Sequence, residues 1–170
     1  MKRFINMMLA ALIMTAGCTK PDMNQNGDDT DPVIPAPEKI GTYIFDGKEY
    51  PVHTAVYTEK GGTIMIRISP LQPESPQTTY AVIGINSALE GETIDVEKAW
   101  HNDDYYFRYE DPVKFYSEYR QLQSGSIYIK HVSQNSDMFE VQADIILPDG
   151  TDFRFEYDGE LTSYSASATL

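Results

Sequence analysis

Between residues 39 and 170, apolar and polar side chains alternate along the chain, a pattern typical of β-strands that bury one face. The longest run is 139–147, in which every odd position is apolar. Its even positions are polar, with Ile146 as the exception. Shorter runs at 64–68 and 153–158 repeat the alternation. Each run predicts a strand whose apolar face packs against a core.

Turn signals divide these runs. Asp149-Gly150 and Asp46-Gly47 each separate two strand patterns, and Asp-Gly is typical of tight β-hairpins. Pro51 follows the second turn and predicts an edge strand or a bulge, because proline has no amide hydrogen to donate. We therefore predict an all-β domain over 39–170, an antiparallel sandwich or barrel with at most one or two short helices.

Two segments depart from the alternation. The segment Ser87 to Leu89 predicts a single helical turn. Over 112–122, Asp111 is a candidate N-cap and Pro112 would occupy the first helical position. We favour a short helix or an irregular segment over 112–122, and a strand is the alternative.

The N-terminal residues follow a different pattern. Lys2 and Arg3 precede an almost uninterrupted apolar run, 4–14, which is shorter than the roughly 20 residues that cross a bilayer. This pattern is typical of a secretory signal peptide, which we assign to residues 1–17. Cys18 follows directly and is the only cysteine of the chain, so an exported domain would carry an unpaired thiol unless it is modified.

Residues 18–38 connect this cysteine to the β-rich domain. Four of the ten prolines and five acidic residues lie between Thr19 and Glu38, with few large apolar side chains. Such a segment cannot bury enough surface to offset the entropy lost on ordering, so we predict a disordered tether. The acidic run at 27–31 lacks the ligand spacing of a calcium loop, and we assign no metal site to it.

The candidate chemistry is concentrated between Trp100 and Tyr119. This segment holds the only tryptophan, five of the twelve tyrosines and five acids. In a strand over 105–109, alternate aromatic side chains would fill the core and the others would stay exposed. Exposed rings stack on the apolar faces of sugars, and carboxylates accept hydrogen bonds from hydroxyl groups. The candidate ligand-binding residues are Trp100, His101, Asp103, Asp104, Tyr106 and Tyr116. The alternative is a structural role at the rim of a sheet, which suits tyrosine and tryptophan.

Other activities find little support in the sequence. The acids of 103–111 could include the two carboxyl groups of a glycoside hydrolase, but the sequence does not give their separation. The three histidines lack metal-binding spacing, and no nucleophile motif or phosphate loop is present. A pI near 4.5 and a net charge of −13 disfavour nucleic acid as a partner. We assign no catalytic residue, metal or cofactor.

The organisation of the chain resembles small outer-membrane lipoproteins of the Bacteroides group. "AGC" at 16–18 is similar to the lipobox, in which diacylglycerol is joined to the cysteine. An acidic, proline-containing tether follows, and the β-rich domain opens near "YIFDGKEYPV" and closes on "LPDGTDFRFEYDGEL". The resemblance implies a surface-facing location at the outer membrane, with a lipid anchor at Cys18. It implies no active-site residues.

Three functions fit these expectations. The first is a non-catalytic, lipid-anchored envelope protein that binds a glycan or a protein partner. The second is a structural or adhesive component of an envelope assembly. The third is a hydrolase that uses the acids of 103–111.

Overall fold

The computed structural model describes residues 39–73, 75–113, 115–116, 121–134 and 136–164. The predicted signal peptide, Cys18 and the predicted tether over 18–38 lie outside these residues. Within them, no helix is long and apolar enough to cross a membrane.

The described residues form twelve strands and one short 3₁₀ turn. The turn is Ser87–Leu89. The strands are β1 Gly41–Phe45, β2 Lys48–Val52, β3 Thr54–Lys60, β4 Thr63–Ser69, β5 Tyr80–Asn86, β6 Ile94–Asp95, β7 Tyr105–Glu110, β8 Phe115–Tyr116, β9 Ser124–His131, β10 Met138–Ile146, β11 Asp152–Glu160 and β12 Thr162–Ser163.

These strands form two six-stranded sheets. Sheet I has the order β2-β1-β11-β10-β9-β6, and sheet II has the order β12-β3-β4-β5-β7-β8. Every neighbouring pair is antiparallel except β12 and β3, which are parallel. The predicted all-β, sandwich-like architecture is therefore confirmed.

The core lies between the inward faces of the two sheets. The ring of Phe45 in β1 stacks on Tyr109 in β7, with the centroids 3.7 Å apart. Phe107 of β7 meets Phe153 of β11 with the centroids 5.0 Å apart. Full burial of an apolar side chain of this size contributes about 1.5–3 kcal/mol, so these contacts between the sheets account for much of the packing energy.

Both Asp-Gly hairpins form as the sequence predicts. Asp46 and Gly47 have φ values of 56° and 68°, the left-handed pair that a two-residue hairpin turn requires. The Gly47 amide also donates to Asp152 Oδ1 at 2.8 Å, which ties this turn to the start of β11. The second hairpin joins β10 to β11 through Asp149-Gly150.

The chain changes sheets at His53. The sequence pattern runs on from residue 48 to residue 58, yet β2 belongs to sheet I and β3 belongs to sheet II. The His53 amide donates to the Ser69 carbonyl at 3.0 Å, so the residue between β2 and β3 is already hydrogen-bonded to sheet II. Pro51 lies in β2, the outermost strand of sheet I, and its predicted edge position is confirmed.

The two segments that depart from the alternation have different outcomes. The helical turn at Ser87–Leu89 is confirmed, and Asn86 Oδ1 caps it by accepting from the Ala88 amide at 3.0 Å. Of the short helix or irregular segment favoured over 112–122, residues 112–113 and 121–122 are irregular, and the prediction is wrong at Phe115–Tyr116, which form strand β8, the alternative.

The local capping signal is nevertheless real. The carboxylate of Asp111 accepts from the Val113 amide at 2.7 Å, as an N-cap would. The chain then pairs with β7, with Tyr116 opposite Tyr109 and Phe115 opposite Glu110. This pairing satisfies backbone groups that β7 would otherwise expose at a sheet edge, which a helix here could not do. Residue 114 and residues 117–120 lie outside the described residues.

Candidate functional site

The outer face of sheet II carries side chains in register across four strands. One row runs Val56, Arg67, Val82 and Arg108 through β3, β4, β5 and β7. The next row runs Thr58, Met65, Gly84 and Tyr106. Gly84 has no side chain and is buried, and the other seven residues are half-buried, because neighbours in a row cover one another. The face is therefore mixed apolar and aromatic, with two arginines.

The outer face of sheet I is different in character. Its central strands β10 and β11 direct acids and Arg154 to solvent, and Arg154 lies 3.5 Å from Asp144 and 3.7 Å from Asp152. Gln142 and Glu156 are also exposed there. Highly solvated charges of this kind resist burial in an interface core, so sheet II offers the better binding surface.

A tight loop before β7 presents Trp100 to solvent. The Asp104 amide donates to the Trp100 carbonyl at 2.8 Å, and the Trp100 amide donates to Asp104 Oδ2 at 2.7 Å. Asn102 adopts a left-handed φ of 68° and donates to the Tyr105 carbonyl at 2.8 Å. The backbone of the loop is thus fixed, while the side chain of Trp100 is 73% exposed.

The same loop borders a small cavity of about 320 Å³. Asn86 at the end of β5 closes one side, since its Nδ2 donates to the Asp103 carbonyl at 3.1 Å. Its lining comprises Thr63, Met65, Ile85, Asn86, Asn102, Asp103, Asp104, Tyr105 and Tyr106. We call this cavity, together with the exposed indole of Trp100, the Trp100 surface.

Three of the six predicted ligand-binding residues, Asp103, Asp104 and Tyr106, line this cavity, and Trp100 and His101 precede them in the same loop. His101 packs in parallel with Tyr106 at 6.3 Å between ring centroids, and edge-on to buried Tyr105 at 5.4 Å. Asp103 is exposed, whereas Asp104 is half-buried and holds the loop.

The sixth predicted residue, Tyr116, is not placed at this surface. It lies in β8 opposite Tyr109, and its side chain is outside the described part of the chain.

The alternation predicted for β7 is confirmed. Tyr105, Phe107 and Tyr109 are at most 3% exposed, and they face the core. Tyr106 and Arg108 lie on the other side, half-buried on the outer face.

Tyr80 organises a polar cluster at the far end of this face. Its ring lies between two guanidinium groups, with Arg67 at 4.1 Å and Arg108 at 5.7 Å from the centroid. The Tyr80 hydroxyl donates to Glu110 Oε2 at 2.5 Å, and Arg108 Nη2 lies 2.7 Å from the same oxygen. The hydrogen bond from the Tyr80 hydroxyl has the largest effect on the pKa of Glu110. Together with the Arg108 guanidinium it holds this pKa below its usual range, although partial burial acts in the opposite direction.

Sequence reasoning missed Arg67 and Tyr80 as members of a polar cluster. The only available signal was that Arg67 alternates with the isoleucines of 64–68, which places it on the outer face. Their meeting depends on the pairing of β4 with β5 and of β5 with β7, which the sequence pattern does not specify.

A second polar cluster, also missed, lies at the opposite end of the sandwich. His131 at the end of β9 places Nε2 2.8 Å from Glu59 Oε1 and Nδ1 2.8 Å from Glu90 Oε1. A cleft of about 790 Å³ opens beside it, with Tyr57 and Lys130 in its walls. Both ring nitrogens lie within hydrogen-bond distance of a carboxylate, so Glu59 and Glu90 hold the imidazole in place. Within the described residues, no group of three metal-ligating side chains is found.

Comparisons with protein-family models, with curated proteins and with solved structures found no match. The functional interpretation of the Trp100 surface therefore depends on its own geometry.

Proposed function

We propose that the chain is a non-catalytic, lipid-anchored protein of the outer-membrane surface that binds a glycan at the Trp100 surface. The observation that carries this proposal is the exposure of Trp100, 73%, on a loop fixed by backbone hydrogen bonds. An indole held out in this way offers a rigid apolar face at little cost in conformational entropy.

The groups that line the cavity beside the Trp100 loop suit a polyhydroxylated ligand. The amides of Asn86 and Asn102 can both donate and accept, and the carboxylate of Asp103 accepts. Tyr106 of β7 adds a second ring, which is half-buried. Sugars combine apolar C–H faces with hydroxyl groups, so a site of two rings and several short polar side chains matches both parts of the ligand.

The membrane anchor in this proposal is Cys18, joined to diacylglycerol after removal of residues 1–17. Each buried methylene of an acyl chain contributes about 0.8 kcal/mol, so two or three chains hold a protein stably at a membrane. The predicted tether would then separate the β-rich domain from the lipid.

Glu110 has the wrong properties for the general acid of a hydrolase. Such a residue needs a raised pKa, whereas hydrogen bonds from Tyr80 and Arg108 lower the pKa of Glu110. Asp104 is occupied in holding the Trp100 loop. These observations favour binding over hydrolysis in the 103–111 segment.

The test is glycan binding by the full-length chain in detergent. An array of neutral and acidic oligosaccharides identifies a ligand, and calorimetry then measures its affinity. We expect Trp100→Ala to weaken binding about tenfold or more, equivalent to about 1.4 kcal/mol, because the stacking face is removed. Tyr106→Ala should weaken it by a smaller factor.

Tyr128→Ala is the matched control, because Tyr128 is a half-buried tyrosine on sheet I, hydrogen-bonded to Glu140 at 3.3 Å. It should leave glycan affinity unchanged. An array without hits, or equal affinity in Trp100→Ala and the unmodified chain, would contradict the proposal.

A further inference from the structure

A second cavity lies on the outer face of sheet II, on the β3 side of the Trp100 surface. Its volume is about 220 Å³, enough for one small ring or a short branched chain. Its lining comprises Val56, Thr58, Met65, Arg67, Val82 and Tyr164. Most of this wall is apolar, and Arg67 supplies its only charge among the described residues.

Arg67 is incompletely paired. Its Nη2 donates to the Gln77 carbonyl at 3.3 Å, and its guanidinium stacks on Tyr80. Its Nε is buried and has no hydrogen-bond partner among the described residues. Arg67 also forms no ion pair with any carboxylate in the described part of the chain, although the protein has twice as many acids as bases. Because no carboxylate of the described residues pairs with this guanidinium, the site favours an added anion.

Arg108 shows how an arginine of this face pairs with a carboxylate. Arg108 lies on the other side of Tyr80 and meets Glu110 at 2.7 Å. Glu110 Oε2 also accepts from the Tyr80 hydroxyl. Glu110 acts on Arg67 through its charge and forms no ion pair with it.

We propose that this cavity binds a small organic acid, a carboxylate carried on a short apolar body. The carboxylate would accept from the Arg67 guanidinium, whose fork of donors matches the two oxygens. The apolar body would be buried against Val56, Met65 and Val82, and Tyr164 would cover its outer side.

Other ligand classes fit this cavity less well. A neutral apolar molecule would fill the space but would leave the donors of Arg67 unpaired. Inorganic phosphate would satisfy the guanidinium but has no apolar surface to bury against the walls. A carboxylate on an apolar body satisfies both parts of the cavity.

The site is distinct from the Trp100 surface. The two share only Met65 in their linings, and the Trp100 surface contains no arginine. Failure of glycan binding would therefore leave this proposal standing, and the reverse also holds.

The test is a titration of the full-length, methyl-labelled chain with phenylacetate, followed by nuclear magnetic resonance. We expect saturable shifts of the Val56 and Val82 methyl signals. 2-Phenylethanol has the same body without the charge, so its affinity should be at least tenfold lower. Inorganic phosphate should produce no saturable shift of these methyl groups.

Two variants isolate the role of Arg67. Arg67→Gln should lower phenylacetate affinity at least tenfold, and Val56→Asp, which places a carboxylate in the cross-strand position opposite Arg67, should do the same. Arg154→Gln on sheet I is the matched control and should bind like the unmodified chain. Unaltered methyl spectra of the free variants show that they are folded.

The proposal is overturned by any of three results. These are equal affinity for 2-phenylethanol and phenylacetate, unchanged affinity in both folded variants, and saturable shifts that map away from Val56 and Val82.

Discussion

Gly125 occupies the tightest backbone position in the sandwich. It lies in β9 opposite Ile145, with a φ of 115°, a region that residues with a side chain rarely adopt. A Cβ built there would lie 2.1 Å from the Asp144 carbonyl oxygen and 2.7 Å from Ile145 Cα. Neither atom belongs to a flexible side chain, so only a backbone shift could relieve the overlap. The requirement for glycine at this residue is therefore steric as well as conformational.

Gly125→Ala and Gly150→Ala separate these two requirements. Gly150 has a φ of 86° but no atom within 4 Å of a built Cβ. We expect Gly150→Ala to lower the free energy of unfolding by about 1–2 kcal/mol, the cost of a left-handed residue. Gly125→Ala should lower the free energy of unfolding by about 1–3 kcal/mol more than Gly150→Ala does, because the added methyl group also overpacks β9 against β10. Urea denaturation measures both, and equal losses would contradict the steric argument.

At the scale of elements, His131 links three separate segments of the chain. It ends β9 in sheet I, while Glu59 comes from β3 in sheet II and Glu90 follows the 3₁₀ turn. The His131 amide also donates to Glu90 Oε1 at 2.9 Å. The imidazole is packed 4.1 Å from the ring of Phe139. The link therefore holds the two sheets together at the end of the sandwich away from Tyr80.

The pH dependence of stability should report this link. Partial burial alone would raise the pKa of Glu90. The backbone and side-chain hydrogen bonds from His131 and the charges of His131 and Lys130 outweigh this effect, so the pKa lies below 4.5. A carboxyl group whose pKa is lower in the folded state stabilises the protein at pH values above its unfolded-state pKa. This stabilisation is lost as the pH falls through the folded-state pKa. We expect Glu90→Gln to be less stable by about 0.5–1 kcal/mol at pH 7, because solvent screens this exposed carboxylate, and by much less at pH 3.

Glu92→Gln is the control for that experiment, since Glu92 is exposed two residues further along. Its unfolding free energy should follow the unmodified chain across the same pH range. Denaturant unfolding at several pH values measures all three proteins. A Glu90→Gln deficit that stays constant between pH 7 and pH 3 would show that the ionised carboxylate does not stabilise the link.

For the whole molecule, the two outer faces have unequal roles. Sheet I presents a solvated, charged face, in keeping with a net charge of −13 that favours solubility. Sheet II presents aromatic and apolar side chains with two arginines. An anchored protein with one charged face and one mixed face would bind through the second and stay soluble through the first.

The proposed anchor is tested on protein from the native host. Mass spectrometry should find the mature chain beginning at Cys18, with diacylglycerol joined to its sulfur, and the protein should fractionate with membranes. Cys18→Ser should remain unmodified and leave the membrane fraction, because acyl chains supply the binding energy. A native chain with a free thiol in the soluble fraction would contradict the proposal.

The sequence by itself determined the local structure of the β-rich domain. The alternation at 64–68, 105–109 and 139–147 decided which side chains face the core, because successive strand residues point to opposite sides. The Asp-Gly pairs decided two hairpins, because the turn needs left-handed residues. The same local chemistry placed Trp100 and Asp103 together, since they are neighbours in one loop.

The tertiary structure alone decided which strands meet. At the change of sheet at His53 the buried positions shift from Val52 to Ala55, three residues apart, and the strand pattern of 48–58 does not mark this shift. The Asp111 carboxylate accepts from the Val113 amide as a cap would, yet the chain continues into β8, which pairs with β7. The Arg67–Tyr80 stack and the His131 link join residues from different strands. Such contacts depend on sheet order and register, and one strand's pattern of side chains contains no information about its neighbour's identity.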